Sequence, residues 1–335
     1  MKRAGFLIEQ VADMDNLRMA FHKAQRGKSD KAEVIAYRED LEQNLMRLRA
    51  QILDGKPDIG KYKLFKIYDP KERVVCAAAF QERVLHHALM NICGSYFEQQ
   101  MIATTYANRI GKGAYKALEL AHKSMGQYKY VAKLDVRKYF DSISHDVLKK
   151  QLCRIYKDLR LLDVWDSIIE SYSVTEGRGL PIGNLTSQYL ANFYLSGLDH
   201  YAKEQLQMPV YIRYMDDILL MMNDMSLLKT AVKEIGHYAD THLQLTLKEP
   251  IIQRTSERMD FLGYSLCGRK IGLSYRSKRR FESKFRYAEK QFSSGIWTEN
   301  EYQAHVIPLM AFVQHGYTKR YRTKILGERH RALTA

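Results

Sequence analysis

Val210-Tyr211-Ile212-Arg213-Tyr214-Met215-Asp216-Asp217-Ile218-Leu219-Leu220-Met221 is the stretch whose reading decides the fold. Two β-prone runs flank a pair of adjacent carboxylates, which predicts a β-hairpin with the acids at its turn. In an extended strand, neighbouring side chains point to opposite faces, so adjacent aspartates share a target only where the chain bends. Clustered carboxylates repel one another and resist burial, and a bound cation offsets both effects. A solvated turn would use the same residue types. The apolar walls on both sides and a partner acid elsewhere in the chain favour a metal site.

That partner is Asp135, which ends the short β-prone run Tyr130-Val131-Ala132-Lys133-Leu134. An acid at one strand end beside an acid pair on a neighbouring hairpin is the minimal holder for two Mg²⁺ ions, with Mn²⁺ as a substitute. Mg²⁺ favours one or two carboxylates plus substrate phosphates over an all-protein cage. Two such ions can activate a primer hydroxyl and stabilise leaving pyrophosphate. Ser144 reads as a helix N-cap with Asp146 in the first turn, so Asp141 and Asp146 are expected to be structural.

The chain has no run of eighteen apolar residues and no signal-peptide pattern, so a cytoplasmic protein with no membrane partner is expected. Cys76, Cys93, Cys153 and Cys267 are widely spaced, form no Cys-x-x-Cys pair and read as reduced thiols; no zinc site follows from them. The net charge of +15 is uneven: residues 269–335 hold 15 Lys/Arg against five Glu and no Asp. Aromatics such as Tyr275, Phe281, Tyr287 and Trp297 are interleaved with those cations, a composition that suits a nucleic-acid backbone.

Apolar spacing predicts helices over 16–26 and 31–53, broken at Gly27-Lys28-Ser29-Asp30. Residues 62–68 and 73–78 read as a basic hairpin, and 81–97 as a helix. Residues 106–113 form a Gly-rich basic loop in which Arg109 and Lys112 are candidate backbone contacts; its spacing is not that of a Walker A loop. Further helices are expected over 147–172, 185–206 and 226–242, a strand over 243–248, and a small strand pair from Met259. This alternation argues for an α+β fold, an antiparallel sheet carrying helices on one face.

With these acids placed, the chain resembles the reverse transcriptases. Leu-Asp-Val-Arg-Lys-Tyr-Phe-Asp (134–141), Tyr-Met-Asp-Asp (214–217) and Phe-Leu-Gly-Tyr (261–264) occur in the family's order, and the ordered motifs span residues 62–264. The resemblance implies a right-hand polymerase architecture of fingers and palm with an antiparallel sheet, and a helical thumb. Residues 1–60 would be an N-terminal helical extension, and 61–130 and 145–205 fingers with interleaved palm elements. Residues 130–145 and 206–268 would be palm, and 269–335 a basic helical thumb. Asp135, Asp216 and Asp217 match the catalytic acids, with Asp135, Val136, Asp216 and Asp217 as the metal-holding set. Phe140 matches the bulky residue that crowds the sugar 2′ position and favours deoxynucleotides; a core aromatic is the other role open to it. Arg73 and Lys71 match residues that clamp the incoming triphosphate, a task for which the Arg fork is suited. Lys248 resembles the basic residue near the leaving pyrophosphate. Phe261, Leu262, Gly263 and Tyr264 resemble the primer grip, and Lys278, Arg279 and Arg280 fall in the thumb-like tail. Arg109-Ile110 departs from the Arg-Pro of wider relatives.

Leu180-Pro181-Ile182-Gly183-Asn184-Leu185-Thr186-Ser187-Gln188 narrows the subfamily. Most relatives carry Gln where this chain has Ile182, and Pro where it has Gln188. The pattern resembles the reverse transcriptases of diversity-generating retroelements. It implies copying of a retroelement template RNA into cDNA from dNTPs through an RNA/DNA hybrid, with frequent errors opposite adenine (mutagenic retrohoming). It also implies a small, basic, oligomeric accessory protein as partner. Ile182 offers no directional hydrogen bond to the nascent pair, so a mispair loses less relative to a correct one; simple packing of the loop is the other role open to it. A retron-like or antiphage reverse transcriptase and a non-catalytic RNA-binding scaffold are the alternatives, and the intact Asp135, Asp216, Asp217, Phe140 and Arg73 set argues against the scaffold.

Overall fold

The computed structural model describes residues 3–68 and 72–325. The chain opens with four helices, α1 (Ile8–Val11), α2 (Met14–Ala24), α3 (Ala32–Glu39) and α4 (Leu41–Leu53). The single helix expected over 31–53 is broken at Asp40, whose φ of −115° and ψ of 42° lie outside the helical region. A hairpin follows, β1 (Lys63–Tyr68) and β2 (Glu72–Ala77), and then α5 (Phe80–Gln99). The N-terminal helices are not a separate unit. Leu17, Phe21, Leu45 and Leu48 share one core with Val84, Leu85 and Leu89 of α5. Each such buried aliphatic side chain contributes roughly 1.5–3 kcal/mol.

Next come α6 (Ala114–Met125), β3 (Tyr130–Leu134), the single turn α7 (Tyr139–Ser142), α8 (His145–Ile155) and α9 (Leu159–Glu170). Ser144 caps α8 as expected, and Asp158 caps α9, dividing the one helix predicted over 147–172. Then α10 (Leu185–Tyr194) and α11 (Ser196–His200) run into a π-helical turn, Tyr201–Gln205. The hairpin β4 (Val210–Tyr214) and β5 (Asp217–Met222), α12 (Met225–Leu243) and β6 (Ile251–Arg254) complete the central sheet, whose order is β4-β5-β3-β6 and whose pairs are all antiparallel. The strand expected over 243–248 is absent. Leu247 makes one isolated bridge to Val136, and regular pairing begins only at Ile251.

Side-chain alternation settles what covers the sheet. Ala132, Leu134, Ile218 and Leu220 face the core that contains Leu228, Val232 and Ile235 of α12. Val131, Ile212, Leu219 and Met221 face a second core with Ala117, Leu118 and Ala121 of α6. Helices therefore cover both faces, not the one expected, because these strands are apolar on both sides.

The second core continues into β7 (Met259–Phe261), β8 (Tyr264–Cys267) and β9 (Lys270–Leu273), an antiparallel sheet in that order, and into α13 (Tyr275–Ser293) and α14 (Glu299–Gln314). Phe281 and Phe285 bury one stripe of α13 while its cations stay exposed. Thr298 and Glu301 form a capping box at the start of α14.

Candidate active site

Leu134 pairs with Ile218, which puts Asp135, just past the end of β3, level with Asp217 at the start of β5. The hairpin closes through a two-residue turn, Met215-Asp216, because Tyr214 pairs with Asp217. Met215 takes φ = 53°, a left-handed conformation that disfavours side chains by about 1–2 kcal/mol. Local bonds hold it there. The Arg213 guanidinium donates to the Met215 carbonyl at 3.0 Å, and to Asn192 Oδ1 at 2.8 Å. Asp199 grips the same guanidinium at 2.6 and 2.5 Å, and also accepts from Tyr211 Oη at 2.6 Å. Arg213 and Asp199 are both wholly buried.

The three predicted acids have different surroundings. Lys248 Nζ donates to both Asp135 oxygens at 2.6 Å, and its backbone N–H donates to the Asp135 carbonyl at 2.8 Å. Asp217 pairs with Lys133 at 3.3 Å, and Lys133 also donates to the Asp260 carbonyl at 3.0 Å. Asp216 is pushed up to about 6, first by burial and then by Asp217 and Asp135, against the pull of a backbone N–H and Lys248. Three carboxylates thus act on one another, and two lysines hold two of them. Among the described residues, no group of three or more His, Cys, Asp or Glu is arranged ready to hold a metal ion. Asp135 and Asp216 would hold a divalent cation together with substrate phosphates, and at Asp135 that cation would compete with Lys248. The crowding of Asp216 by burial and by two neighbouring carboxylates is what a bound cation would relieve. Val136 lies beside these acids, its backbone bridged to Leu247.

The segment from Gly179 to Gly183 runs from the Phe140 turn to the β1–β2 hairpin. Leu180 N–H donates to the Phe140 carbonyl at 2.9 Å, and Cys76 N–H of β2 donates to the Ile182 carbonyl at 2.8 Å. Gly183 sits at φ = 114°, and a Cβ there would lie 2.8 Å from Val75 Cγ1, so only glycine lets the loop approach β2. Phe140 and Ile182 are half-buried at the two hydrogen bonds of this loop, and Arg73 is exposed on β2, three residues before the Cys76 that bonds it. Arg73 shares a strand face with Val75 and Ala77. Those two line a cavity of about 740 Å³ with Gln188, Gly183, Lys61, Lys63 and Arg83. Gln188 therefore belongs to the wall of this groove. Lys28 and Lys31 from the loop between α2 and α3 also line it, and two wall residues carry buried nitrogens without a hydrogen-bond partner, His86 Nε2 and Asn184 Nδ2. Lys71 lies outside the described residues.

The structure places the other expected nucleic-acid contacts in different surroundings. Arg109 pairs with Glu98 at 2.6 Å and donates to the Ile102 and Thr105 carbonyls, leaving its side chain 8% exposed. Lys112 donates to the Ala103 carbonyl at 2.7 Å and lies over the Tyr106 ring. Both shape the 102–113 loop. Phe261 and Tyr264 are core residues, each 1% exposed. Only Leu262 and Gly263 form the accessible turn, at φ = 49° and 86°. Tyr264 Oη donates to the Phe312 carbonyl at 2.7 Å, tying that turn to α14. Lys278, Arg279 and Arg280 are exposed on the first turns of α13. Lys278 lines a second basic cavity, about 670 Å³, with Arg258, Arg269 and Lys270.

Sequence reasoning missed Lys133, the Arg213–Asp199–Asn192 network and the Lys28/Lys31 contribution to the groove. Arg213 carried a signal: a charge inside an apolar strand needs a buried partner.

Comparison with known proteins agrees with the motif order. Protein YkfC of Escherichia coli (strain K12) is 23% identical over 178 residues, covering 48% of this chain and 47% of that protein. Nuclear intron maturase 1, mitochondrial, of Arabidopsis thaliana is 24% identical over 118 residues, covering 35% of this chain and 16% of that protein. The chain thus spans less than half the length of these curated relatives. Among solved structures, telomerase from Candida albicans in complex with a fragment of telomeric RNA is similar over 79% of this chain and 56% of that one, at 14% identity and a TM-score of 0.49. The family described as reverse transcriptase (RNA-dependent DNA polymerase) matches residues 61–266, more than half of the sequence, and the chain belongs to it.

Proposed function

We infer that this protein copies an RNA template into DNA, adding deoxynucleotides at the junction of Asp135, Asp216 and Phe140. The observation that carries this is the cluster of Asp135, Asp216 and Asp217, with Phe140 close after Asp135 in the chain and bonded by its carbonyl to the loop whose Ile182 carbonyl accepts from β2. Divalent cations, Mg²⁺ or Mn²⁺, held by Asp135 and Asp216 would supply activation of the primer hydroxyl and charge neutralisation at the leaving pyrophosphate. Lys133 holds Asp217 in an ion pair beside those two acids. Lys248, beside Asp135, would be the proton donor to the departing pyrophosphate. Arg73 pairs with the triphosphate, and the Phe140 ring fills the space a 2′-hydroxyl would need. The basic groove beside β2 suits the template strand, and Leu262-Gly263 with the basic face of α13 suits the primer and the hybrid. Primer extension on an RNA template decides the matter: activity in wild type and none in Asp216→Ala is expected, and equal activity in both refutes the site.

The finer reading is an error-prone enzyme of a diversity-generating retroelement, working with its template RNA and a small basic accessory protein. Ile182 supports it, since an apolar side chain stands where a hydrogen-bonding one would sense pair geometry. An intron-encoded role is the second reading, favoured by the named maturase among the relatives. Sequenced cDNA made on the native RNA separates them, because errors concentrated opposite adenine are expected only of the first.

A further inference from the structure

A cavity of about 420 Å³ lies where α8, α11 and α12 meet, outside the carboxylate centre and the groove. Its volume falls in the range of small-ligand sites. Lys150, Arg154 and His200 line it, and no carboxylate does among the described residues. His200 bridges two acceptors, the Glu204 carboxylate at 2.6 Å and the Gln100 carbonyl at 3.1 Å. A neutral imidazole has one N–H and satisfies only one of them. Burial opposes the charge on His200, but those two partners outweigh it and its pKa is raised. The lining thus carries two permanent cations, Lys150 and Arg154, with His200 beside them.

One wall is aromatic. Tyr238 stacks on Tyr201 with centroids 4.7 Å apart and meets the His242 ring at 4.5 Å. Tyr238 can lie there because residue 197 is glycine; a Cβ would come within 2.8 Å of its Oη. Gln151, also on the wall, donates its Nε2 to the Tyr194 carbonyl, while its buried Oε1 accepts nothing. A ligand for this cavity needs an anionic group for the cations, a flat ring for the aromatic wall and an N–H for Gln151. A nucleotide has all three.

We propose that this cavity binds one unpaired nucleotide of an RNA, its phosphate on Lys150 and Arg154 and its base against Tyr238 and His242. The occupant's class rests on reading the chain as a protein that works on RNA, and splayed-out bases held on aromatic side chains are the usual mode of single-strand recognition. The site also has a path to the reaction centre. From His242 the chain runs through Gln244 to Leu247, bridged to Val136, and to Lys248 on Asp135.

Photocrosslinking of the full-length protein to single-stranded RNA containing 4-thiouridine, mapped by peptide mass spectrometry, tests the proposal. An adduct on Tyr238 or His242 is expected, falling roughly tenfold or more in Lys150→Glu/Arg154→Glu as two charge-assisted contacts are lost. Primer extension on a homopolymer template stays within about twofold of wild type. Should the double variant melt more than about 5 °C early, Lys150→Gln/Arg154→Gln is read in its place. Competition by AMP alone marks a free nucleotide as the occupant and overturns the RNA assignment; competition by RNA but not AMP supports it. No adduct in this peptide, or one indifferent to the charge changes, overturns the pocket. Crosslinking needs no nucleotide addition. Its absence in a protein that extends primers refutes the pocket alone, and its presence in one that does not extend them refutes the polymerase reading alone.

Discussion

Arg213 and Asp199 form a wholly buried, two-pronged ion pair, and the same guanidinium holds the carbonyl of Met215 in the turn before Asp216. The pair links α11 to the acidic hairpin, so the orientation of Asp216 depends on a residue outside the hairpin. Asp199→Asn leaves a buried cation without its counter-charge, a change that destabilises by about 3–5 kcal/mol. Arg213→Lys keeps the charge but loses the fork. The expected result is a urea midpoint lowered strongly in Asp199→Asn and mildly in Arg213→Lys. Primer extension should fall at least about tenfold in Arg213→Lys while the protein remains folded. Full activity in folded Arg213→Lys would show that the turn holds its shape unaided.

Lys248 occupies both oxygens of Asp135, so cation binding and this ion pair compete for one carboxylate. In Lys248→Ala that competition is gone. Calorimetric titration should show Mn²⁺ or Mg²⁺ binding more tightly than in wild type in the absence of nucleotide. Turnover should move the other way, slowing by roughly 10²-fold if the ammonium also protonates pyrophosphate. Equal affinity in the two proteins would mean that the lysine does not contend with the metal.

How much of this was legible in the sequence differs between the parts of the site. Asp135, Asp216 and the hairpin were readable because short apolar runs around acids leave few alternatives. The pairing of Lys133 with Asp217 was not, since it depends on the strand register that sets Lys133 opposite Leu219. Arg109 looked like a free cation in a glycine-rich loop, yet Glu98 on α5 claims it. Phe261 and Tyr264 were read from a motif, and only tertiary packing shows that their rings serve the core while Leu262-Gly263 serves the surface. The two-sided sheet was visible in Ile218-Leu219-Leu220-Met221, an unbroken apolar run that one-sided burial does not require.

Phe140 is half-buried, and its own carbonyl fixes the loop that carries Ile182. Because that bond comes from the backbone, Phe140→Ala removes the ring and keeps the loop. Ribonucleotide incorporation relative to deoxynucleotide should rise by about 10²-fold, the scale of discrimination a steric pocket achieves. Single-nucleotide extension with rNTPs and dNTPs in parallel measures it, and an unchanged ratio would leave Phe140 as a core aromatic.

Ile182 contacts the nascent pair without directional bonds in the proposed reading. Ile182→Gln should lower misincorporation opposite template adenine several-fold, since about 1.4 kcal/mol is tenfold in discrimination. Errors at the other three bases should change less. An unaltered spectrum in sequenced cDNA would assign Ile182 to packing the loop.

His86 and His87 on α5 give the fold a predictable response to acid. His86 is wholly buried and pushed down to about 3, chiefly by burial and further by His87 and Arg83. His87 is pushed down to about 4 by burial and by Lys23, Arg83 and Arg26. Both are depressed bases, so the folded chain binds fewer protons than the unfolded one once the pH drops below about 6.5. Stability is therefore intact above that value and is lost as the pH falls toward 4 and then 3. The slope is at most about 1.4 kcal/mol per unit for each histidine. Glu82 has the opposite effect. Burial raises its carboxyl, so protonation adds stability as the pH falls through that raised value. Comparing wild type with His86→Gln cancels the Glu82 contribution. Urea midpoints measured from pH 7 to pH 4 should fall less steeply in the variant, and parallel curves would mean that His86 takes up a proton in the folded state with Glu82 Oε1, 3.6 Å away, as its counter-charge.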